Sequence, residues 1–182
     1  MVFEYLPQAY NDGSNAKARE KMHNASCMAG MAFTNAFLGI NHSLAHKLGA
    51  AYPISHGRAN AILLPYVIEY NAKKPDKFQI WPKYETFVAD EKYAEIARAL
   101  GLPASTKEEG VASLIAAIRK LMKDVGLPAT IAATKTVDRA TFLAEAPQLA
   151  ERAYEDQCTT ANCKQPKVTD LQAILIKAYD GK

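Results

Sequence analysis

The chain has 182 residues, 49% hydrophobic and 23% charged, a balance that fits one soluble globular domain with a real core and excludes a disordered segment. A net charge of +3, with lysines and arginines scattered along the chain, excludes nucleic acid as a partner, because a basic stripe or basic residues interleaved with aromatics would be needed. The N-terminus, MVFEYLPQAY, lacks the basic-then-apolar order of a signal peptide, and the least polar stretch, 25–40, is shorter than the ~20 residues that cross a membrane. Three cysteines, Cys27, Cys158 and Cys163, cannot all pair internally; the expectation is a cytoplasmic protein with reduced thiols.

Residues 1–11 read as a chain already under way, with Val2, Tyr5 and Leu6 ending an apolar helix face before Pro7. Asn11-Asp12-Gly13-Ser14 is a turn cluster, and Ser14 or Asn15 can cap the next helix. That helix is expected over 15–38. Its second half, ASCMAGMAFTNAF, is apolar nearly all round and predicts burial on most sides; Met22, Met28 and Met31 read as core, and plain packing is one reading of Phe33. Gly39 offers a bend, and a further helix follows to Ala51 before Pro53. Residues 57–71 read as a helix kinked at Pro65, and 71–85, with Trp81, as a covering loop.

From Asp90 the pattern is regular. Asp90 is expected to cap a helix stopped by Gly101 and Pro103, and Thr106 with Glu109 to form a capping box for the helix that ends at Gly126. A further helix opens at Asp138 and is broken or restarted at Pro147, and Thr169 with Gln172 caps the last one. No strand-like alternation, dinucleotide fingerprint or phosphate-binding loop appears. The expectation is an all-α, bundle-like domain of roughly seven or eight helices.

Chemistry concentrates in 35–60, NAFLGINHSLAHKLGAAYPISHGRAN. His42 and His46 are four apart and share one helix face. His56, after a Tyr-Pro break and before Gly57, is a candidate for the start of the next helix. Imidazoles on a helix face, opposed by another at a helix start, are one way to hold a divalent metal. Spacing alone is equally compatible with partly buried histidines in ordinary hydrogen bonds. His23, among charged residues, reads as surface. Cys158 and Cys163 read as loop thiols without a metal role, because no other cysteine or histidine lies near them in sequence.

The stretch GMAFTNAFLGINHSLAHKLGAAYPISHGRANAILLP closely resembles the histidine-rich signature of iron-dependent (group III) alcohol dehydrogenases. The tail AYEDQCTTAN is similar to the end of the alcohol dehydrogenase half of bifunctional aldehyde–alcohol dehydrogenases. The resemblance runs over essentially the whole chain and implies the helical C-terminal domain of the iron-dependent alcohol dehydrogenase and dehydroquinate synthase-like fold. It further implies one divalent metal, iron with zinc as the alternative, held by an aspartate and three histidines, two of which match His42 and His56. His46 matches a histidine that faces the nicotinamide and the substrate, and Phe33 a position lining the substrate pocket.

The implied reaction interconverts acetaldehyde, or another short aldehyde, and its primary alcohol with NAD(H). By the same resemblance the nucleotide-binding α/β domain and the other two ligands would precede residue 1. The expectation is therefore a single helical metal-binding domain over 1–182, with little activity alone and a compromised core. Homo-oligomers or filaments are implied for the full-length relatives. The competing reading is a non-catalytic helical module that binds metal or self-associates.

Overall fold

A computed structural model describes residues 1–75 and 87–181. Within them the chain forms eight α-helices: α1 (Val2–Asn11), α2 (Ala16–Ala36), α3 (Ile40–Ala51), α4 (His56–Ala72), α5 (Ala89–Ala99), α6 (Lys107–Asp124), α7 (Arg139–Tyr154) and α8 (Val168–Asp180). Two short 3₁₀ helices, Ala132–Thr134 and Gln157–Ala161, complete the order. No strand occurs among the described residues, so the all-α expectation holds. The loop expected over 71–85 lies mostly outside the described residues.

The core is built where the apolar faces of α3, α4, α7 and α8 meet. Leu44, Leu48, Ile62, Leu63, Phe142, Leu171 and Leu175 are fully buried there. Phe142 stacks on Tyr179 with ring centroids 4.6 Å apart. A smaller cluster of Ile68, Ala97 and Leu114 joins α4 to α5 and α6. Helix α6 crosses α5 closely because Gly110 has no side chain: a Cβ there would lie 2.8 Å from the Ala94 backbone.

Several helix ends fall where expected. Asn15 caps α2 by accepting from the Ala18 amide (3.0 Å), Asp138 caps α7 through the Thr141 amide (3.0 Å), and Gly101 and Gly126 take φ of +70° and +66° at the expected stops. Other ends differ. Helix α5 starts at Ala89, so Asp90 lies inside its first turn rather than at its cap. Thr106 caps α6 as expected, accepting from the Glu109 amide (3.1 Å), but the Glu109 carboxylate reaches back to the Ser105 amide rather than to that of Thr106. Helix α8 starts at Val168, and the Asp170 carboxylate, not Gln172, accepts from the Lys167 amide (2.9 Å).

Proline ended fewer helices than its lost donor implies. Helices α1, α4 and α7 run through Pro7, Pro65 and Pro147. Each proline forfeits one backbone bond. In α4 and α7 that loss is offset by buried neighbours on both sides: Leu63 and Tyr66 around Pro65, Ala146 and Leu149 around Pro147.

The largest departure is α2. Only Ala18 of this helix is buried, while Met28, Met31 and Phe33 stand 53%, 58% and 47% exposed. The helix packs chiefly on α1, so its apolar second half finds no covering element among the described residues. The expected burial of Met28 and Met31 is therefore not observed, and Phe33 is exposed beside them, whereas the main core closes without α2.

Candidate metal and proton-transfer site

Helices α3 and α4 meet at Tyr52–Ser55, and their facing ends bring three histidines together. His42 and His46 lie one turn apart on α3, and His56 is the first residue of α4, as its position after Pro53 predicts. The ring centroids of His42 and His56 are 5.4 Å apart, those of His46 and His56 5.3 Å, and those of His42 and His46 6.2 Å. Two imidazoles sharing one metal at ~2.0–2.1 Å, at a near-tetrahedral angle, have centroids roughly 5 Å apart. The spacings of His42 to His56 and of His46 to His56 both fit that arrangement. Burial, then the neighbouring His56 and His46 rings, pushes the His42 imidazole below its ordinary value, which favours the neutral form that ligates metal. His23 is exposed on α2, as expected.

A pair of amides brackets the site. Asn41 Nδ2 donates to Asn60 Oδ1 (2.8 Å), crossing from α3 to α4 beside His42. Asn60 Nδ2 in turn donates to the His56 carbonyl (3.0 Å) and lies 3.1 Å from His56 Nε2.

The third wall comes from the far end of the sequence. Asp156 caps the 3₁₀ helix Gln157–Ala161, with Oδ1 accepting from the Cys158 amide (3.0 Å). Its Oδ2 lies 3.0 Å from His46 Nδ1 and 2.8 Å from Lys47 Nζ. Burial opposes the charge on Asp156, but the Lys47 ammonium, the Cys158 amide and His46 outweigh it and hold the carboxyl well below the usual carboxylate range. Two further contacts run parallel to this one. The Thr159 hydroxyl donates to the Ala153 carbonyl (2.6 Å) and lies 2.8 Å from Ser43 Oγ. Asn162 Oδ1 accepts from the Ile40 amide (3.4 Å), a close approach that Gly39 permits, since a Cβ there would lie 2.8 Å from the same oxygen.

A 3₁₀ helix has three residues per turn, so side chains at i and i+3 eclipse. Asp156, Thr159 and Asn162 therefore present one edge, and that edge clamps α3 along Lys47, Ser43 and Ile40. Reading D-x-x-T-x-x-N at a period of three is the signal that finds this edge; a search for α-helical or strand periods passes over it.

Cys158 corrects the loop reading. It is buried on the 3₁₀ helix, and ligating atoms of His46, Asp156 and Cys158 lie within 4.8 Å of one another. Proximity alone does not make this a metal site. Burial and then Asp156 push the Cys158 thiol up to about 11, and Lys47 already neutralises the carboxylate. The three residues form a hydrogen-bonded node behind the histidine face. All three cysteines are free thiols.

Residues 1–179 match the profile described as Fe-containing alcohol dehydrogenase family, C-terminal. The chain belongs to the iron-containing alcohol dehydrogenase family. It is 50% identical over 181 residues to an aldehyde-alcohol dehydrogenase of Streptococcus pneumoniae, covering 100% of this chain and 20% of that protein. To the bifunctional aldehyde-alcohol dehydrogenase of Escherichia coli it is 44% identical over 186 residues, covering 100% of this chain and 21% of that protein. Among solved structures, a 1,3-propanediol oxidoreductase superposes with a TM-score of 0.82 at 34% identity, over 98% of this chain and 42% of that one. An iron-containing alcohol dehydrogenase from Thermococcus thioreducens gives a TM-score of 0.81 at 34% identity, over 100% of this chain and 42% of that one. The chain thus spans about a fifth of the length of the aldehyde-alcohol dehydrogenases it matches. No described helix is long and apolar enough to cross a membrane.

Proposed function

We propose that this chain is the helical metal-binding part of an alcohol dehydrogenase that interconverts a short aldehyde, such as acetaldehyde, and its primary alcohol with NAD(H). The observation that carries the reading is the convergence of three imidazoles from two helices, with centroids 5.3–6.2 Å apart, in a chain of this family. His42 and His56 hold the metal, iron or alternatively zinc, together with an aspartate and a histidine supplied by sequence outside the matched fifth. The nucleotide-binding domain lies there as well, so this chain alone turns over little or no substrate. Bound there, the metal supplies Lewis acidity to a carbonyl oxygen, and a nicotinamide supplies the hydride.

The remaining work falls to this chain's own side chains. His42 and His56 present neutral nitrogens at a fixed separation, and the Asn41–Asn60 bracket keeps α3 and α4 in register beside them. His46, one turn from His42, orients the nicotinamide and carries the proton that the alcohol hydroxyl loses on oxidation or gains on reduction. Phe33 lines the substrate pocket. The setting is cytoplasmic, and the full-length protein assembles into homo-oligomers or filaments.

The test is a graft of residues 1–182 in place of the matching segment of the Streptococcus pneumoniae protein. The graft is expected to reduce acetaldehyde with NADH. His42→Ala and His56→Ala are expected to lose bound metal and turnover together. His46→Ala is expected to keep metal and lose about 10²–10⁴-fold in kcat. A folded graft that holds one metal per chain without turnover would instead mark a non-catalytic metal-binding module. Metal content unchanged in both ligand variants would remove His42 and His56 from the site.

A further inference from the structure

We propose that Asp156 is the positioning residue for His46, holding its imidazole as the Nδ1–H tautomer so that the Nε2 lone pair is free for proton transfer. The inference builds on the reading of His46 as proton carrier and names the residue that makes its ring competent. Its support is the geometry of one carboxylate. Asp156 Oδ1 is taken by the Cys158 amide (3.0 Å), and Oδ2 faces two groups, Lys47 Nζ (2.8 Å) and His46 Nδ1 (3.0 Å). An ionised carboxylate only accepts and an ammonium only donates. A neutral His46 therefore meets Oδ2 only by donating through Nδ1, which leaves the other ring nitrogen unprotonated.

Burial makes this constraint firm. The Asp156 side chain is 8% exposed and that of Lys47 24%, against 36% for His46. The ring is thus anchored through Nδ1 against a buried carboxylate. With Lys47 beside it the carboxylate remains charged. The same clamp fixes the ring in space, because Thr159 and Asn162 hold the 3₁₀ helix against Ser43 and Ile40 of α3.

The alternative is that Asp156 is only a helix cap. Asp156→Asn separates the two roles. Asparagine caps as well as aspartate, so Oδ1 still accepts from the Cys158 amide, while an NH₂ group replaces the acceptor facing His46. Nitrogen NMR of this chain at about pH 8, above the ordinary imidazole range, reads the tautomer directly. The wild-type chain is expected to carry its His46 proton on Nδ1. D156N is expected to lose that form in favour of Nε2–H, with its helical circular dichroism retained, and Lys47→Met is expected to keep it. Two results would overturn the proposal: a wild-type His46 protonated on Nε2, which needs no variant to be seen, or an unchanged tautomer in folded D156N. The readout uses neither metal nor turnover. A negative result therefore leaves the proton-carrier role standing, whereas full activity of a His46→Ala graft would end that role whatever the tautomer.

Discussion

Buried polar contacts carry much of the weight in this chain, and Thr159 shows how much one hydroxyl can do. It is 3% exposed, donates to the Ala153 carbonyl and faces the fully buried Ser43. Thr159→Val keeps the shape and strands both partners. A loss of about 1–3 kcal/mol is expected, measured as a lower denaturant midpoint at unchanged slope. None of this was legible from composition, because threonine in a polar tail reads as an exposed turn. The histidines were more legible. A spacing of four puts His42 and His46 on one face whatever surrounds them, and a proline before His56 marks a helix start. Their convergence was not legible, since it depends on how α3 and α4 cross.

At the level of the helix, apolar periodicity located α3 to α8 well, because one buried stripe per helix leaves a clear trace. Caps were found at Asp138, where an aspartate stood alone at a boundary, and at Asn15, one of two candidates with Ser14. At α8 the cap was misplaced: the Asp170 carboxylate, rather than the Gln172 side-chain amide, accepts from the Lys167 amide. Close crossings leave a fainter trace. Gly110 sits in the first turn of α6, where alanine would raise helix propensity by at most about 0.5–1 kcal/mol. A Cβ there would also lie 2.8 Å from the backbone of Ala94 and 3.1 Å from Ala104, and overpacking of this kind costs about 1–3 kcal/mol. The clash involves backbone and should win. Gly110→Ala is expected to destabilise by about 1 kcal/mol in urea unfolding, whereas a net gain would show that α5 and α6 have room to part.

For the molecule as a whole, the fold class was readable from helix-length periodicity and the absence of alternation. The placement of α2 was not. Its apolar second half reads as core in any sequence analysis, yet Met28 and Met31 stand in the open, and exposed apolar surface of that kind drives association. Met28→Lys with Met31→Lys is expected to leave stability within about 0.5 kcal/mol while lowering self-association in light scattering. A large loss of stability would mean the helix is packed more tightly than its exposure indicates.

The clamp on α3 also has a consequence in time. Its three contacts join residues 110, 116 and 122 positions apart. At a synthesis rate of about 5–20 residues per second, the histidines leave the ribosome roughly 5–20 seconds before Asp156 does. For that interval His42 and His46 on α3, and His56 on α4 beside Asn60, exist without the carboxylate that faces His46. His46 meets Asp156 only after α7 has been made, so a ribosome stalled in α7 would display the histidines without Asp156.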